Sequence, residues 1–391
     1  MTSPADLTRN TVHVLPAGEL ERKLAQGWPL RVKLGIDPTA PDIHLGHTVP
    51  LGKLAAFQRA EHTAVLIIGD YTARIGDPSG RSKERPVLSP EELEVNARTF
   101  AEQAFKILDP ARTEVRFNSE WLAKLDFAEI VRLTRTATVA RMLERDDFAR
   151  RYTAQEPISV SELLYPLMQA YDSVAIRADV ELGGTDQLYN LLAGREVMEA
   201  YGLEPQVAMT LPILVGTDGK ERMSKSKGNY IGVAEAPEEQ FGKAMSIPDE
   251  ALADFWRLAL DAEPPTLEPM ESKLELARRL VTRFHGPEAA ADAEAHFTRV
   301  VREHRPPEEV PEIRLKPSDV KGGNVYLPGL LVSHLGVAST SEGRRLISQG
   351  GVRLNGEVVS ELGMPVERLH EAVLQAGKRR FAIILKPEHV I

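Results

Sequence analysis

Along the first half of the chain, continuous apolar runs alternate with stretches in which apolar residues recur every three or four positions. Thr63 to Gly69 contains the run Ala64, Val65, Leu66, Ile67, Ile68, the pattern of a strand covered on both faces. Arg31 to Ile36 predicts a second strand, and Glu114 to Phe117, Ala178 to Leu182 and Val207 to Leu214 predict three more. Between them, Thr48 to Ala60 predicts a helix with Leu51, Leu54, Ala55 and Phe57 inward. Another helix opens with Ser89 as N-cap, Pro90 in the first turn and Glu92 closing a capping box. Its apolar positions Leu93, Ala97, Phe100, Ala101, Ala104, Phe105 and Leu108 keep helical spacing. Strands alternating with helices predict an α/β domain with a parallel sheet.

The pattern changes after about Ala236. Strand signals fade and helical ones dominate to His304, notably over Lys273 to Phe284 and Pro287 to His304. Arg305 to Gly323 holds four prolines and ends on two glycines, which reads as a linker. Beyond it come two short helices, Pro328 to Leu335 and Ser341 to Ser348, and a hairpin turn at Asn355-Gly356.

Length and composition narrow the class. The 391 residues suffice for two to three domains. No segment approaches the roughly 18 uninterrupted apolar residues of a membrane span, and the first residues lack a signal-peptide pattern, so a soluble cytoplasmic protein is expected. Without cysteine there is no disulfide scaffold, thiolate metal site or cysteine nucleophile. A net charge of −9 argues superficially against a nucleic-acid partner. The charge is unevenly placed, however. Residues 324–391 carry eight Lys or Arg against six Asp or Glu, a net of +2, so the preceding residues carry −11. The tail is electrostatically distinct.

Two segments carry candidate chemistry. Gly35-Ile36-Asp37-Pro38-Thr39 leads through Asp42 and Ile43 to His44-Leu45-Gly46-His47, where a helix starts. A helix N-terminus offers backbone N–H groups and a positive dipole end to a polyphosphate, and Gly46 removes a side chain where a nucleotide must come close. Two histidines three apart can donate to phosphate oxygens that gain charge in a transition state. A capped helix with surface histidines has the same pattern. Downstream, Gly219-Lys220-Glu221-Arg222-Met223-Ser224-Lys225-Ser226-Lys227-Gly228 follows an apolar strand, and such a loop can bring Arg222 and Lys225 onto phosphates. A solvated basic loop is its plainer reading.

Together the two segments are specific. His44-Leu45-Gly46-His47 resembles the HIGH motif of class I aminoacyl-tRNA synthetases, and Arg222-Met223-Ser224-Lys225-Ser226 resembles their KMSKS motif, in the right order and 175 positions apart from His47 to Arg222. Tyr165, Gln169 and Asp172 stand at i, i+4 and i+7 on one helix face, within about 60°. With Gly183-Gly184-Thr185-Asp186-Gln187 and Ile75-Gly76-Asp77-Pro78-Ser79-Gly80-Arg81, they resemble the tyrosyl-tRNA synthetase family from about Val32 to the C-terminus.

That resemblance implies a Rossmann-like catalytic domain over residues 1–232, a helical anticodon-recognition domain and linker over 233–322, and an α+β RNA-binding domain of the S-four type over 323–391. It implies activation of L-tyrosine by ATP to tyrosyl-adenylate and pyrophosphate, then transfer to the 3′-terminal adenosine of tRNA(Tyr). Asp172 would accept the substrate hydroxyl's hydrogen bond, with Asn118 in the pocket wall. Asp77, Tyr165 and Gln169 would surround the α-ammonium group, with Gln187 near the carboxyl. Gly35, Asp37, Thr39, His44, Gly46 and His47 would face ATP, Gly184 and Asp186 its ribose, and Arg81, Arg85, Arg222, Lys225 and Ser226 its phosphates. Mg²⁺ would bridge those phosphates, with no separate protein-held metal. Arg344, Arg345, Arg353, Lys378, Arg379 and Arg380 would contact RNA phosphates. A homodimer through helices between about Trp121 and Phe148 is also implied. One position departs from the family pattern: Lys33 stands where many members place a second tyrosine against the substrate hydroxyl, leaving Asp172 as its main reader.

Three rivals share parts of this pattern. A tryptophanyl-tRNA synthetase has the same architecture but is disfavoured by the Asp172 helix and the basic tail. A nucleotidyltransferase of the HxGH superfamily needs no RNA-binding tail. A catalytically silent RNA-binding protein is disfavoured because no motif position is disabled.

Overall fold

The computed structural model describes residues 4–39, 42–77, 89–303, 310–377 and 380–387. Arg81, Arg85, Lys378 and Arg379 lie outside the described residues. Two compact units divide the chain, Met1–Gly286 and Pro287–Ile391.

In the first unit, six strands form one sheet: β1 (His13–Leu15), β2 (Arg31–Ile36), β3 (Thr63–Ile68), β4 (Thr113–Phe117), β5 (Val180–Gly184) and β6 (Val207–Leu211). Their order is β1-β6-β5-β2-β3-β4, all neighbours parallel except the edge strand β1, which runs antiparallel to β6. Three residues without alternation gave β1 no signal in the sequence. The chain winds outward from β2 through β3 to β4, then crosses to β5 on the other side of β2. The carboxyl ends of β2 and β5 therefore frame a switch point, where ligands of open parallel sheets bind.

The expected helices form, with shifted ends. Helix α1 (Leu45–Arg59) begins at the His44 segment itself, three residues before the predicted start. Helix α2 (Pro90–Ala104) has its capping box, with Ser89 N–H donating to Glu92 at 2.9 Å and Glu92 N–H to Ser89 Oγ at 3.2 Å. Helix α3 (Val160–Ile176) and helix α4 (Leu188–Ala200) pack together beside the sheet. Val65, Leu66, Ile67 and Ile68 of β3 are fully buried, as a doubly covered strand requires. The strand predicted to reach Leu214 ends at Leu211, freeing 212–214 to line a cavity.

The second unit corrects the linker reading. Glu312–Arg314 is a strand paired parallel to Arg380–Leu385, and Leu315 is 2% exposed in that unit's core. The predicted hairpin joins Val352–Leu354 to Glu357–Val358. Asn355 and Gly356 both take positive φ, 49° and 89°, as a two-residue turn between right-twisted strands demands. Helices Leu327–His334 and Thr340–Ser348 pack against one another.

Candidate active site

His44 is the N-cap of α1, and its ring serves the backbone first. Gly46 N–H donates to His44 Nδ1 at 3.2 Å, and His44 N–H donates to His47 Nδ1 at 3.3 Å. Each Nδ1 is therefore an acceptor, which places the ring proton of both neutral histidines on Nε2. The rings stack at 3.9 Å between centroids, and Phe100 meets His47 edge-on at 5.4 Å. Burial pushes His44 down to about 4, and burial followed by the charge of His44 holds His47 well below the ordinary histidine range. At neutral pH the pair offers N–H donors without net charge.

This corrects one expectation. The backbone N–H groups at the start of α1 are engaged: Leu45 donates to Ile231 O at 2.9 Å, Gly46 to His44 Nδ1, and His47 to His44 O at 2.8 Å. The helix start therefore presents no bare backbone donors at these three positions, and the two Nε2–H groups are the donors on this wall. Gly46 lines the cavity, and a Cβ there would also stand 3.0 Å from the His44 ring. Its small size seats the histidine.

Opposite lies the 222–228 loop. Its base is fixed by Met223 N–H to Leu214 O at 3.2 Å and Ser224 N–H to Asn229 Oδ1 at 2.9 Å, while Met223 is 5% exposed. The cations project from this anchor. Lys225 pairs with Asp42, and Arg222 with Asp186 at 3.3 Å. Both walls, with Thr39, Asp77, Gly184, Asp186 and Ser226, enclose a cavity of about 370 Å³ at the carboxyl ends of β5 and β6.

Beside this cavity the side chains of α3 join two hydrogen-bonded runs, one through Tyr165 and Asp172 and one through Gln169. Tyr165 OH donates to Asp37 Oδ2 at 2.9 Å, Thr72 donates to Asp37 Oδ1 at 2.7 Å, and Asn118 donates to Thr72 Oγ1 at 3.0 Å. Asn118 also lies 3.4 Å from Asp172 Oδ2, and Trp121 Nε1–H donates to Asp172 Oδ1 at 2.8 Å. Burial pushes the Asp172 carboxyl up to about 7, against the opposing pull of the Lys33 charge and of the bonds from Trp121 and Asn118. Asn190 links the other members, donating to Gln169 Oε1 at 3.0 Å and Gln187 Oε1 at 2.8 Å, and Gln187 donates to Asp77 Oδ2 at 2.6 Å.

Thus Asp37, Asp77, Asn118, Tyr165, Gln169, Asp172 and Gln187 fall into one cluster next to the cavity that holds His44, His47, Arg222 and Lys225. Gly35 is exposed at the end of β2, with no protein atom within 4 Å of where its Cβ would stand. Trp121, Asn190 and Asp42 carry none of the predicted roles. Asp42 lies two residues before His44 and Asn190 three after Gln187, beside segments already singled out, whereas nothing around Trp121 points to the cluster.

In the second unit Arg344, Arg345, Arg353 and Arg380 are exposed. Arg344 donates to Tyr326 OH at 2.7 Å, and Arg353 to Gly356 O at 3.0 Å. Strand register separates two of them. Arg353 is opposite Gln375, which is opposite Phe381, whereas Arg380 is opposite Ala376, which is opposite Val352, so Arg353 and Arg380 sit on opposite faces.

The family model described as tRNA synthetases class I (W and Y) matches residues 26–302, and the S4 domain model matches residues 330–371. A tyrosine–tRNA ligase of Moorella thermoacetica is 51% identical over 392 residues, covering 96% of this chain and 94% of its own. One from Thermotoga maritima is 51% identical over 387 residues, covering 96% and 95%. Among solved structures, the tyrosyl-tRNA synthetase of Archaeoglobus fulgidus complexed with L-tyrosine superposes with a TM-score of 0.59 at 25% identity, over 73% of this chain and 96% of that one.

Proposed function

The chain belongs to the class I tRNA synthetases of the tryptophan and tyrosine group and, within them, to the tyrosine–tRNA ligases; from that premise we propose how its residues divide the reaction. The single observation that carries the division is the pairing of two uncharged Nε2–H donors on α1 with two cations on a facing loop, across one cavity. A tyrosine carboxylate is ionised at neutral pH and needs no base to attack the α-phosphorus of ATP. Catalysis is then positioning and charge stabilisation. His44 and His47 donate to the phosphate that gains charge, and being uncharged they do not trap the product by net attraction. Lys225 and Arg222 exchange their carboxylate partners for the leaving pyrophosphate. Gly184 and Asp186 take the ribose. Mg²⁺ arrives with ATP as part of the nucleotide substrate.

On the amino-acid side, Asp172 accepts from the substrate hydroxyl, while Asp77, Tyr165 and Gln169 receive the ammonium group. The second step passes tyrosine to the terminal adenosine of tRNA(Tyr), held by Arg344, Arg345 and Arg353. Arg380 is assigned a separate RNA contact, since it faces away from Arg353. A second copy of the chain covers the apolar stripe Phe127, Ile130, Val131 and Val139, exposed at 80%, 37%, 41% and 63%. A cytoplasmic location accords with translation.

Tyrosine-dependent exchange of pyrophosphate into ATP tests the reading, and absence of exchange with tyrosine would end it. Joint replacement of Arg344, Arg345 and Arg353 by alanine should raise the KM for tRNA about ten-fold and flatten its salt dependence while leaving exchange intact. Sedimentation of Val131→Glu should show monomer where the parent sediments as a dimer.

A further inference from the structure

Lys33 and Glu181 form an ion pair inside the first unit, 0% and 1% exposed, with Nζ to Oε1 at 2.9 Å. Every polar valence of the pair is used. Lys33 has three N–H donors, which reach Gln169 O at 2.7 Å, Ser173 Oγ at 2.9 Å and Glu181 Oε1. Glu181 has four acceptor positions. They take Lys33, Gln169 Nε2 at 3.1 Å, Ser173 Oγ at 2.9 Å and Gln206 Nε2 at 2.7 Å. Gly194 leaves the room: a Cβ on it would stand 2.5 Å from Gln206 Nε2 and 3.1 Å from Glu181 Oε2.

The consequence falls on Gln169. An amide side chain has a donor end and an acceptor end that differ little in shape, so its orientation is decided by its neighbours. A carboxylate can only accept. Glu181 therefore fixes the NH₂ end of Gln169 toward the pair and turns Oε1 away from it, to the side where Asn190 donates at 3.0 Å. A carbonyl oxygen has two lone pairs, and Asn190 uses one. The second is the acceptor an ammonium group needs.

We infer that the buried Lys33–Glu181 pair is a positioning device for amino-acid recognition, holding Gln169 with its carbonyl oxygen toward the substrate ammonium. This rests on the assignment of Gln169 to that ammonium. It gives Lys33 a task that a hydroxyl reader at the same place would not perform. The lysine neutralises and anchors a carboxylate, and the carboxylate orients the amide.

Removing one partner alone strands a buried charge and risks unfolding, so the decisive variant removes both. Lys33→Met with Glu181→Met substitutes apolar chains of similar length, a replacement that buried ion pairs often tolerate. In pyrophosphate exchange, the double variant should raise the KM for tyrosine about ten-fold, the value of one hydrogen bond to a charged group, with kcat and the KM for ATP within about two-fold of the parent. Binding of 3-(4-hydroxyphenyl)propanoate, which lacks the amino group, should not change. Equal losses for tyrosine and this analogue, or a tyrosine KM within two-fold of the parent, would overturn the inference. Gln169→Ala is the control. If it fails to separate tyrosine from the analogue, the ammonium assignment falls and the inference with it; if it separates them and the double variant does not, the inference alone falls.

Discussion

On the nucleotide side of the site, the cations meet carboxylates in solvent: side chains of Lys225 and Asp42 are 43% and 36% exposed, and those of Arg222 and Asp186 38% and 26%. On the amino-acid side, Lys33 and Glu181 are 0% and 1% exposed, with all their hydrogen-bond positions filled. The chemistry of the pairs is alike and their consequences differ. An exposed pair is worth about 0 to 1 kcal/mol, so a polyphosphate can take its cation at little cost. Breaking a buried pair by losing one partner costs about 3 to 5 kcal/mol. In the proposed reading the first arrangement exchanges partners with ligand and the second fixes a shape before ligand arrives.

The largest effect should therefore follow loss of a cation that works only when charge moves. Lys225→Ala should lower kcat of pyrophosphate exchange about 100-fold or more, as loss of one preorganised donor to a developing charge does, with the tyrosine KM within two-fold. A change confined to the tyrosine KM would place Lys225 on the wrong side of the comparison.

Asp172→Ala comes next. It removes the acceptor for Trp121 Nε1–H and the one proposed for the substrate hydroxyl, and kcat/KM for tyrosine should fall about 10- to 100-fold. Acidity offers a gentler version of the same test. Because burial raises this carboxyl to about 7, it is protonated in the free enzyme below that pH and accepts poorly. The kcat/KM for tyrosine should decline below pH 7 with a limiting slope of one and level off above it. The same shift costs stability as pH rises from about 4 to 7, since the unfolded chain has released a proton that the folded one still holds. A flat profile across pH 6 to 8 would show that no carboxyl titrating in that range reads the hydroxyl.

The two sides also differed in how far they could be read from the residues alone. The nucleotide side lies in contiguous segments, His44 to His47 and Arg222 to Ser226, because a helix start and a loop each carry several contacts in a few residues. The α3 face was legible through helical spacing at Tyr165, Gln169 and Asp172. What supports that face was not. Trp121, Asn190 and Glu181 come from separate elements, and Glu181 meets Lys33 only because β2 and β5 lie side by side, with the two opposite in register. Lys33 stood out as a departure from pattern, but its partner is 148 residues away. The same limit explains the strand at Glu312–Arg314, whose surrounding prolines read as linker until Arg380–Leu385 supplied a hydrogen-bonding edge.

The smallest effect is the most direct probe of the exchangeable side. Asp42→Asn removes the charge that holds Lys225 in the free protein while leaving a side chain of nearly the same size. ATP no longer has to displace a carboxylate, so the KM for ATP should fall. The change is bounded by the worth of an exposed pair, about five-fold at most, and it should shrink as salt screens the interaction. The tyrosine KM should not move, because Asp42 pairs with Lys225 of the loop rather than with a member of the buried network. If the KM for ATP rises instead, Asp42 is itself a ligand of the nucleotide or its Mg²⁺, and the pair with Lys225 is no latch. If tyrosine binding changes as much as ATP binding, the two sides are not independent, and the rigidity ascribed to the Lys33–Glu181 pair does not isolate one from the other.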